Sequence, residues 1–273
     1  MHSAIAFEAP RQTFGDALMM CHVAYNNLLK SGKPVVFLIP KGVPEQILGI
    51  YSRIKHLTMD YESYQEQISE GAFREVCQAN NWQPHFFFTT KEHYKDIKLQ
   101  LIDKWMDFSG VANCLSGDYV IVHISSSNNV PRPSIEKLER HLQFIKEAGY
   151  RPVIVGTKKD EETALKNYPF LQNHFEEESW RFGKDSVIEN MVQIRAAKGV
   201  VSFSSWSSIF GALAGVPTIE FWNWDQWQHF NTLVKMSLGN PVHLFQLPFD
   251  DNIRHNYYRN SFNLARQWLS VYQ

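Results

Sequence analysis

The sequence predicts an α/β protein made of two parallel-sheet domains. Two observations predict it. Short apolar, β-branched segments alternate with helix-period segments along the chain, and the alternation halts at a polar, glycine-marked break before starting again. The break is formed by Ser109-Gly110 and Ser116-Gly117. It gives domains at 1–115 and 116–249, with 250–273 as a C-terminal helix placed to pack back on the first.

In the first half, strands are expected at 3–7, 34–39 and 85–89. The helix between the first two runs from about 16 to 30 and stops at Ser31-Gly32, as a helix with glycine just past its end does. Further helices are expected near 44–54 and 64–79, and an amphipathic stretch covers 91–108. The second half opens on the apolar run 119–124, then a helix from 134 to 148 closed by Gly149, then a strand at 152–155. Residues 158–184 are polar and weakly periodic. A helix near 186–197 follows, then a strand at 199–203, a small-residue helix, and a strand at 217–222. Each domain is thus a Rossmann-like βαβ array, and two such arrays in succession face each other across a cleft, where ligands of open α/β sheets bind.

Composition sets outer limits. At 273 residues, 44% hydrophobic and 20% charged, the chain is globular and long enough for a sizeable core. A net charge of -1 makes no electrostatic case for a nucleic-acid or membrane partner. Cys21, Cys77 and Cys114 are widely spaced, without metal-ligand pairing or a disulfide framework, which suits a reducing compartment. The N-terminus lacks signal-peptide character, and no run approaches the ~18 apolar residues of a membrane helix. A cytoplasmic protein without an integral membrane segment is expected.

The most informative stretch is GVVSFSSWSSIFGALAGVPTIEFWN, residues 199–223. A buried strand runs into Ser204, Ser205, Trp206, Ser207 and Ser208, where a helix begins, and Gly-Val-Pro-Thr leads into the next strand. A helix N-terminus at the carboxyl end of a parallel strand presents unpaired N–H groups and the positive end of a dipole, which suit a phosphate. The alternative is an ordinary turn capped by serine.

Two other strand-to-helix loops carry candidate chemistry. In APRQTFGD, residues 9–16, Gly15 can accept a positive φ or a close backbone approach, and Asp16 falls at the helix N-cap. Asp16 either only caps the helix or faces the cleft and takes a proton from an acceptor hydroxyl. Arg11 either meets a phosphate or is a solvated charge. In HISSSNNVPRP, residues 123–133, Ser125, Ser126, Ser127 and Asn128 can donate to phosphate oxygens and Arg132 can neutralise a diphosphate. Such a loop is also a normal exposed turn. His123, ending an apolar strand, reads as a packed, hydrogen-bonded histidine. Glu220 interrupts its strand and either accepts from a sugar or ribose hydroxyl or points to solvent. Trp222, Trp224 and Trp227 beside it either stack on a ring or belong to the core. No HExxH, paired cysteine, DxD, G-x-S-x-G, Walker loop or G-x-G-x-x-G is present. No metal site and no cofactor are expected.

These features together resemble the GT-B glycosyltransferases, and within them the ADP-heptose heptosyltransferase family. Such proteins carry an early Gly-Asp after the first strand, like Gly15-Asp16. Their second domain opens with a strand ending in His and a polar loop with a basic residue, like residues 123–132. Near the end they have a strand, a polar turn, an alanine-rich helix and Gly-Val-Pro-Thr, like residues 200–218. The resemblance implies that Asp16 is the base, that Arg132 binds diphosphate, and that residues 204–207 bind phosphate through their backbone. The family's late turn usually reads Asp-Ser-Gly with a histidine four or five residues on, where this chain has Ser204-Ser205-Trp206 and then Ile209.

The implied activity is metal-independent transfer of a sugar from a nucleotide-diphosphate donor to an acceptor hydroxyl. The acceptor is a saccharide of a surface glycan or a hydroxymethylated base in phage DNA. The rival readings are a nucleotide-sugar epimerase on the same fold and a non-catalytic nucleotide-sugar binding protein.

Overall fold

A computed structural model describes residues 3–8, 14–40, 56–59, 70–85, 101–125, 134–203, 205–221 and 243–246. Through Ser109 these form one compact unit, and from Gly110 to residue 221 and at 243–246 a second. The division falls at Ser109-Gly110, the earlier of the two glycine breaks. Residues 110–115 are tied to the second unit: Asn113 donates its amide to the Tyr119 hydroxyl at 3.0 Å, and the Gln193 amide lies 3.2 Å from Cys114 Sγ.

The first unit comprises β1 (Ala4–Glu8), α1 (Phe14–Ser31), β2 (Val35–Pro40), β3 (His56–Met59), α2 (Glu70–Ala79) and β4 (Trp82–His85). The sheet order is β3-β2-β1-β4 and every pair is parallel. Ala4, Ala6, Val36 and Leu38 present one face to Phe73 and Cys77 of α2. On β1, Phe7 meets Phe37 of β2, with ring centroids 5.6 Å apart.

Three expectations shift here. Helix α1 begins at Phe14, so Asp16 lies in its first turn and is not its N-cap, and Gly15 is a buried helical residue without a positive φ. The sequence at that point reads Thr13-x-x-Asp16, the spacing of a helix start with threonine ahead of the first turn. The strand expected to begin at 85 begins at Trp82; of residues 85–89 only His85 is described, and it belongs to β4. This strand includes Pro84, which an outer strand tolerates because one side of its backbone needs no ladder bond; β4 pairs only with β1 among the described residues. Of the amphipathic stretch 91–108, the described part holds one 3-10 turn, Ile102–Lys104, and Trp105 and Met106 are buried beyond it.

The second unit comprises β5 (Tyr119–His123), α3 (Ile135–Glu147), β6 (Arg151–Ile154), α4 (Lys158–Asn167), α5 (Val187–Ala196), β7 (Gly199–Phe203), α6 (Trp206–Leu213), β8 (Thr218–Phe221) and β9 (His243–Gln246). Its all-parallel sheet runs β6-β5-β7-β8-β9. All residues of β5, β7 and β8 are buried, the mark of parallel strands covered on both faces. One core joins Val120, Val122, Leu138, Leu142, Ile154, Phe182, Phe203 and Phe221.

Serine starts the helices where the sequence placed it. Ser134 caps α3 by accepting from the Lys137 N–H, and Ser186 forms a capping box with Glu189 at α5. The polar region 158–184 contains a helix the hydrophobic pattern did not show. Its α4 is set by a capping box between Thr157 and Asp160, while only Ala164 along it is buried. The helices expected at 44–54 and 250–273, and the first part of that at 64–79, lie outside the described residues.

Candidate functional site

The second sheet reverses its order between β5 and β7. From β5 the chain steps outward to β6, and from β7 it steps the other way to β8 and β9. The connections from β5 and β7 therefore lead to opposite sides of the sheet, and the carboxyl edge between such strands is where open parallel sheets receive ligands. Register aligns His123 with Ser202 and Ser202 with Glu220, making one row across three adjacent strands. Residues in register share a face of the sheet. All three are buried, Glu220 to 1% exposure, which excludes the reading of that carboxylate as a solvent-facing strand end.

Above the row the chain turns into α6 through Ser205, an extended N-cap with φ -156 and ψ -179. Ser205 Oγ lies 3.1 Å from His123 Nδ1, 3.0 Å from Ser202 Oγ and 2.8 Å from Ser207 Oγ. Ser207 Oγ lies 2.7 Å from Ser202 Oγ, and the Ser202 hydroxyl donates to the Phe203 carbonyl at 2.6 Å. Ser208 donates its hydroxyl to the Ser205 carbonyl at 2.8 Å and accepts from the Ser205 N–H at 3.4 Å. The Trp206 ring sits edge-on to the His123 ring, with centroids 5.6 Å apart.

A carboxylate completes the edge. Ser125, just past β5, donates to Asp160 Oδ1 in a short contact, and Thr157 gives Asp160 Oδ2 both its N–H and its hydroxyl at 2.7 Å. Burial works to raise the Asp160 pKa, but the bonds from Ser125 and Thr157 and the nearby His123 outweigh it and hold the carboxyl below its ordinary range. Burial pushes the His123 imidazole down to about 4, against the opposing pull of Asp160. The edge at neutral pH thus holds a neutral imidazole and an ionised carboxylate.

Of the expected site residues, the structure gathers Ser205, Trp206 and Ser207 at the start of α6 and places Glu220 on the row beneath them. Ser205 and Ser207 turn their hydroxyls into the cluster, so what this turn offers an anion is its main chain. Ser125 is bonded to Asp160 instead of projecting as a free donor. Gly15 and Asp16 open α1, the helix that follows the central strand β1 of the other sheet. Arg11, Ser126, Ser127, Asn128, Arg132, Ser204, Trp222, Trp224 and Trp227 lie outside the described residues. Sequence reading missed Asp160 and Ser202. The Thr157-x-x-Asp160 spacing is the signal that could have found Asp160, whereas a serine inside an apolar strand gives none.

No protein-family model matches the chain, and no curated protein matches it in sequence. Solved structures do match. The chain is similar to Escherichia coli ADP-heptose lipopolysaccharide heptosyltransferase II, with TM-score 0.60 and 11% identity over 98% of this chain and 99% of that one. It is similar to E. coli heptosyltransferase WaaC, solved with ADP, with TM-score 0.58 and 12% identity over 98% and 99%. A family 9 glycosyl transferase from Veillonella parvula gives TM-score 0.60 and 12% identity over 99% and 98%. The chain therefore has the α/β, two-sheet fold of the GT-B glycosyltransferases, and its resemblance to heptosyltransferases extends from short motifs to the course of the backbone.

Proposed function

We propose that this protein is a glycosyltransferase that moves a sugar from a nucleoside-diphosphate-sugar donor to an acceptor hydroxyl. The observation that carries the reading is the β5/β7 edge: a helix N-terminus at the reversal point of a parallel sheet, in a fold shared with enzymes such as WaaC, which binds ADP. The first-turn N–H groups of α6 have no intrahelical acceptor by construction, and they meet the diphosphate. Arg132 and the polar side chains of Ser126, Ser127 and Asn128, which follow β5 in the sequence, add charge and donors. Glu220 accepts from a hydroxyl of the donor.

Asp16, in the first turn of α1, takes the proton of the acceptor hydroxyl as that oxygen attacks the anomeric carbon. The leaving diphosphate is stabilised by the α6 N-terminus and Arg132, so the reaction needs no divalent metal. The acceptor is a glycan saccharide or a hydroxymethylated base in DNA.

A thermal-shift panel of ADP, UDP, GDP, CMP and their sugar conjugates, with and without magnesium, tests the donor site. A ligand at 100 times its Kd adds about 2.7 kcal/mol, a shift of several degrees. One base is expected to respond without magnesium, and silence across the panel overturns the reading. Asp16→Asn is expected to keep that shift and lose roughly 10²- to 10⁴-fold in turnover. A folded variant with full turnover removes Asp16 from the mechanism.

A further inference from the structure

We infer that His123 carries its proton on Nδ1 and heads a one-way hydrogen-bond chain through Ser205, Ser207 and Ser202 to the Phe203 carbonyl, which makes it the positioning residue of the β7–α6 turn. The assignment comes from counting protons. Each serine hydroxyl brings a single proton. That of Ser202 goes to the Phe203 carbonyl. The contacts left are His123 to Ser205 at 3.1 Å, Ser205 to Ser207 at 2.8 Å, Ser207 to Ser202 at 2.7 Å and Ser202 to Ser205 at 3.0 Å.

If Nδ1 is protonated, His123 donates to Ser205, Ser205 to Ser207 and Ser207 to Ser202. Every contact but the longest oxygen pair, at 3.0 Å, then holds a proton. If Nδ1 is bare, Ser205 must donate to it, and only the Ser207 proton is left for the 2.7 and 2.8 Å pairs. One of those two would then set lone pair against lone pair at the length of a true O–H···O bond. The first arrangement satisfies the geometry and the second does not. In a part-buried setting such a chain is also mutually polarising, each donor strengthening the next.

The mechanical consequence lies at Ser205. This residue is where the chain leaves β7 for α6, and Ser208 clasps its main chain from inside the first turn. His123 belongs to β5, 82 residues earlier, on the other side of the sheet's reversal point. Its bond thus fixes the start of α6 against the strand from which the opposite loop departs. Ser205 and Ser207 contribute a scaffold, and the main-chain N–H groups they hold are the ligand-facing part.

The consequence for ligands rests on the proposed donor site, whereas the proton assignment does not. Long-range ¹H–¹⁵N spectra of histidine-labelled protein at pH 7, with His123 assigned by its disappearance in His123→Asn, are expected to show protonated Nδ1 and bare Nε2. The opposite pattern overturns the inference whatever the protein binds. For the positioning role, affinity for ADP, UDP and GDP is compared in His123→Leu, His123→Asn and Ser205→Ala. The leucine and alanine variants are expected to weaken the responding nucleotide tenfold or more. Asparagine, whose amide can stand where Nδ1–H stood, is expected to recover most of that loss. Asparagine no better than leucine overturns the positioning role. If leucine prevents folding, asparagine against wild type decides, with a tenfold loss counting against it. A wild type that binds none of the three nucleotides sinks the proposed function and, with it, the positioning role, while the tautomer spectrum still decides the proton assignment.

Discussion

His123 gives the protein an acid limit. An unfolded histidine titrates near 6.5, and this one is pushed down to about 4 by burial. Between those values the unfolded chain binds the proton and the folded one refuses it, so stability rises with pH through the window and is complete above it. As pH falls from 6.5 toward 4 the loss reaches up to about 3 kcal/mol. Asp160, held below the ordinary carboxylate range, also loses its contribution on acidification, but at lower pH. Urea midpoints at pH 7.5 and 5 are expected to fall much more for wild type than for His123→Asn, which has no imidazole to charge. Equal falls would mean that His123 titrates normally. That this histidine packs and bonds inside the fold is legible in its place at the end of an apolar strand. Its partner is not legible, because nothing local to residue 123 points to residue 205.

Helix α6 depends on a bare backbone at Gly211. A Cβ there would lie 2.5 Å from Thr218 Oγ1 and 3.2 Å from Val200 Cγ2, and the Thr218 hydroxyl is buried and committed to the Val216 carbonyl at 2.9 Å. Gly211→Ala should therefore destabilise, because overpacking of about 1–3 kcal/mol outweighs alanine's helix preference of about 1 kcal/mol. Denaturant midpoints check this. Adding Thr218→Ala, which vacates the crowded space, is expected to return part of the loss. The helix ends with Gly215 at φ 72, where the Val216 N–H bonds to the Gly211 carbonyl and turns the chain into β8. This is the physical content of the Gly-Val-Pro-Thr signal. Elements with a serine cap followed by an apolar period, α3 and α5, were readable for the same kind of reason. Helix α4 was not, since a polar capping box and not a hydrophobic face defines it, and the start of β4 was hidden by Pro84, which an outer strand among the described residues tolerates.

At the scale of the molecule, the strand–helix alternation made two parallel sheets legible, and the repeated glycine break made their separation legible. Strand order was beyond reach, because a parallel crossover can return to either side of its strand. The order matters for function, since it puts the reversal point at β5 and β7. If the donor sits there, the nucleotide that responds in the thermal-shift panel should slow amide exchange in β5, β7 and the first turn of α6 while leaving α2 and β4 unchanged. Protection confined to the first sheet would place the nucleotide elsewhere. The hydroxyl cluster has a further meaning for assembly. Ser202, Ser205 and Ser207 are near neighbours in the chain, whereas His123 is separated from Ser205 by 82 residues and reaches it only through the pairing of β5 with β7. Such non-local parallel pairing is a slow event in folding. The turn into α6 therefore cannot be set until the two central strands have met, and the first appearance of the His123 Nδ1 proton in a refolding time course would mark that meeting.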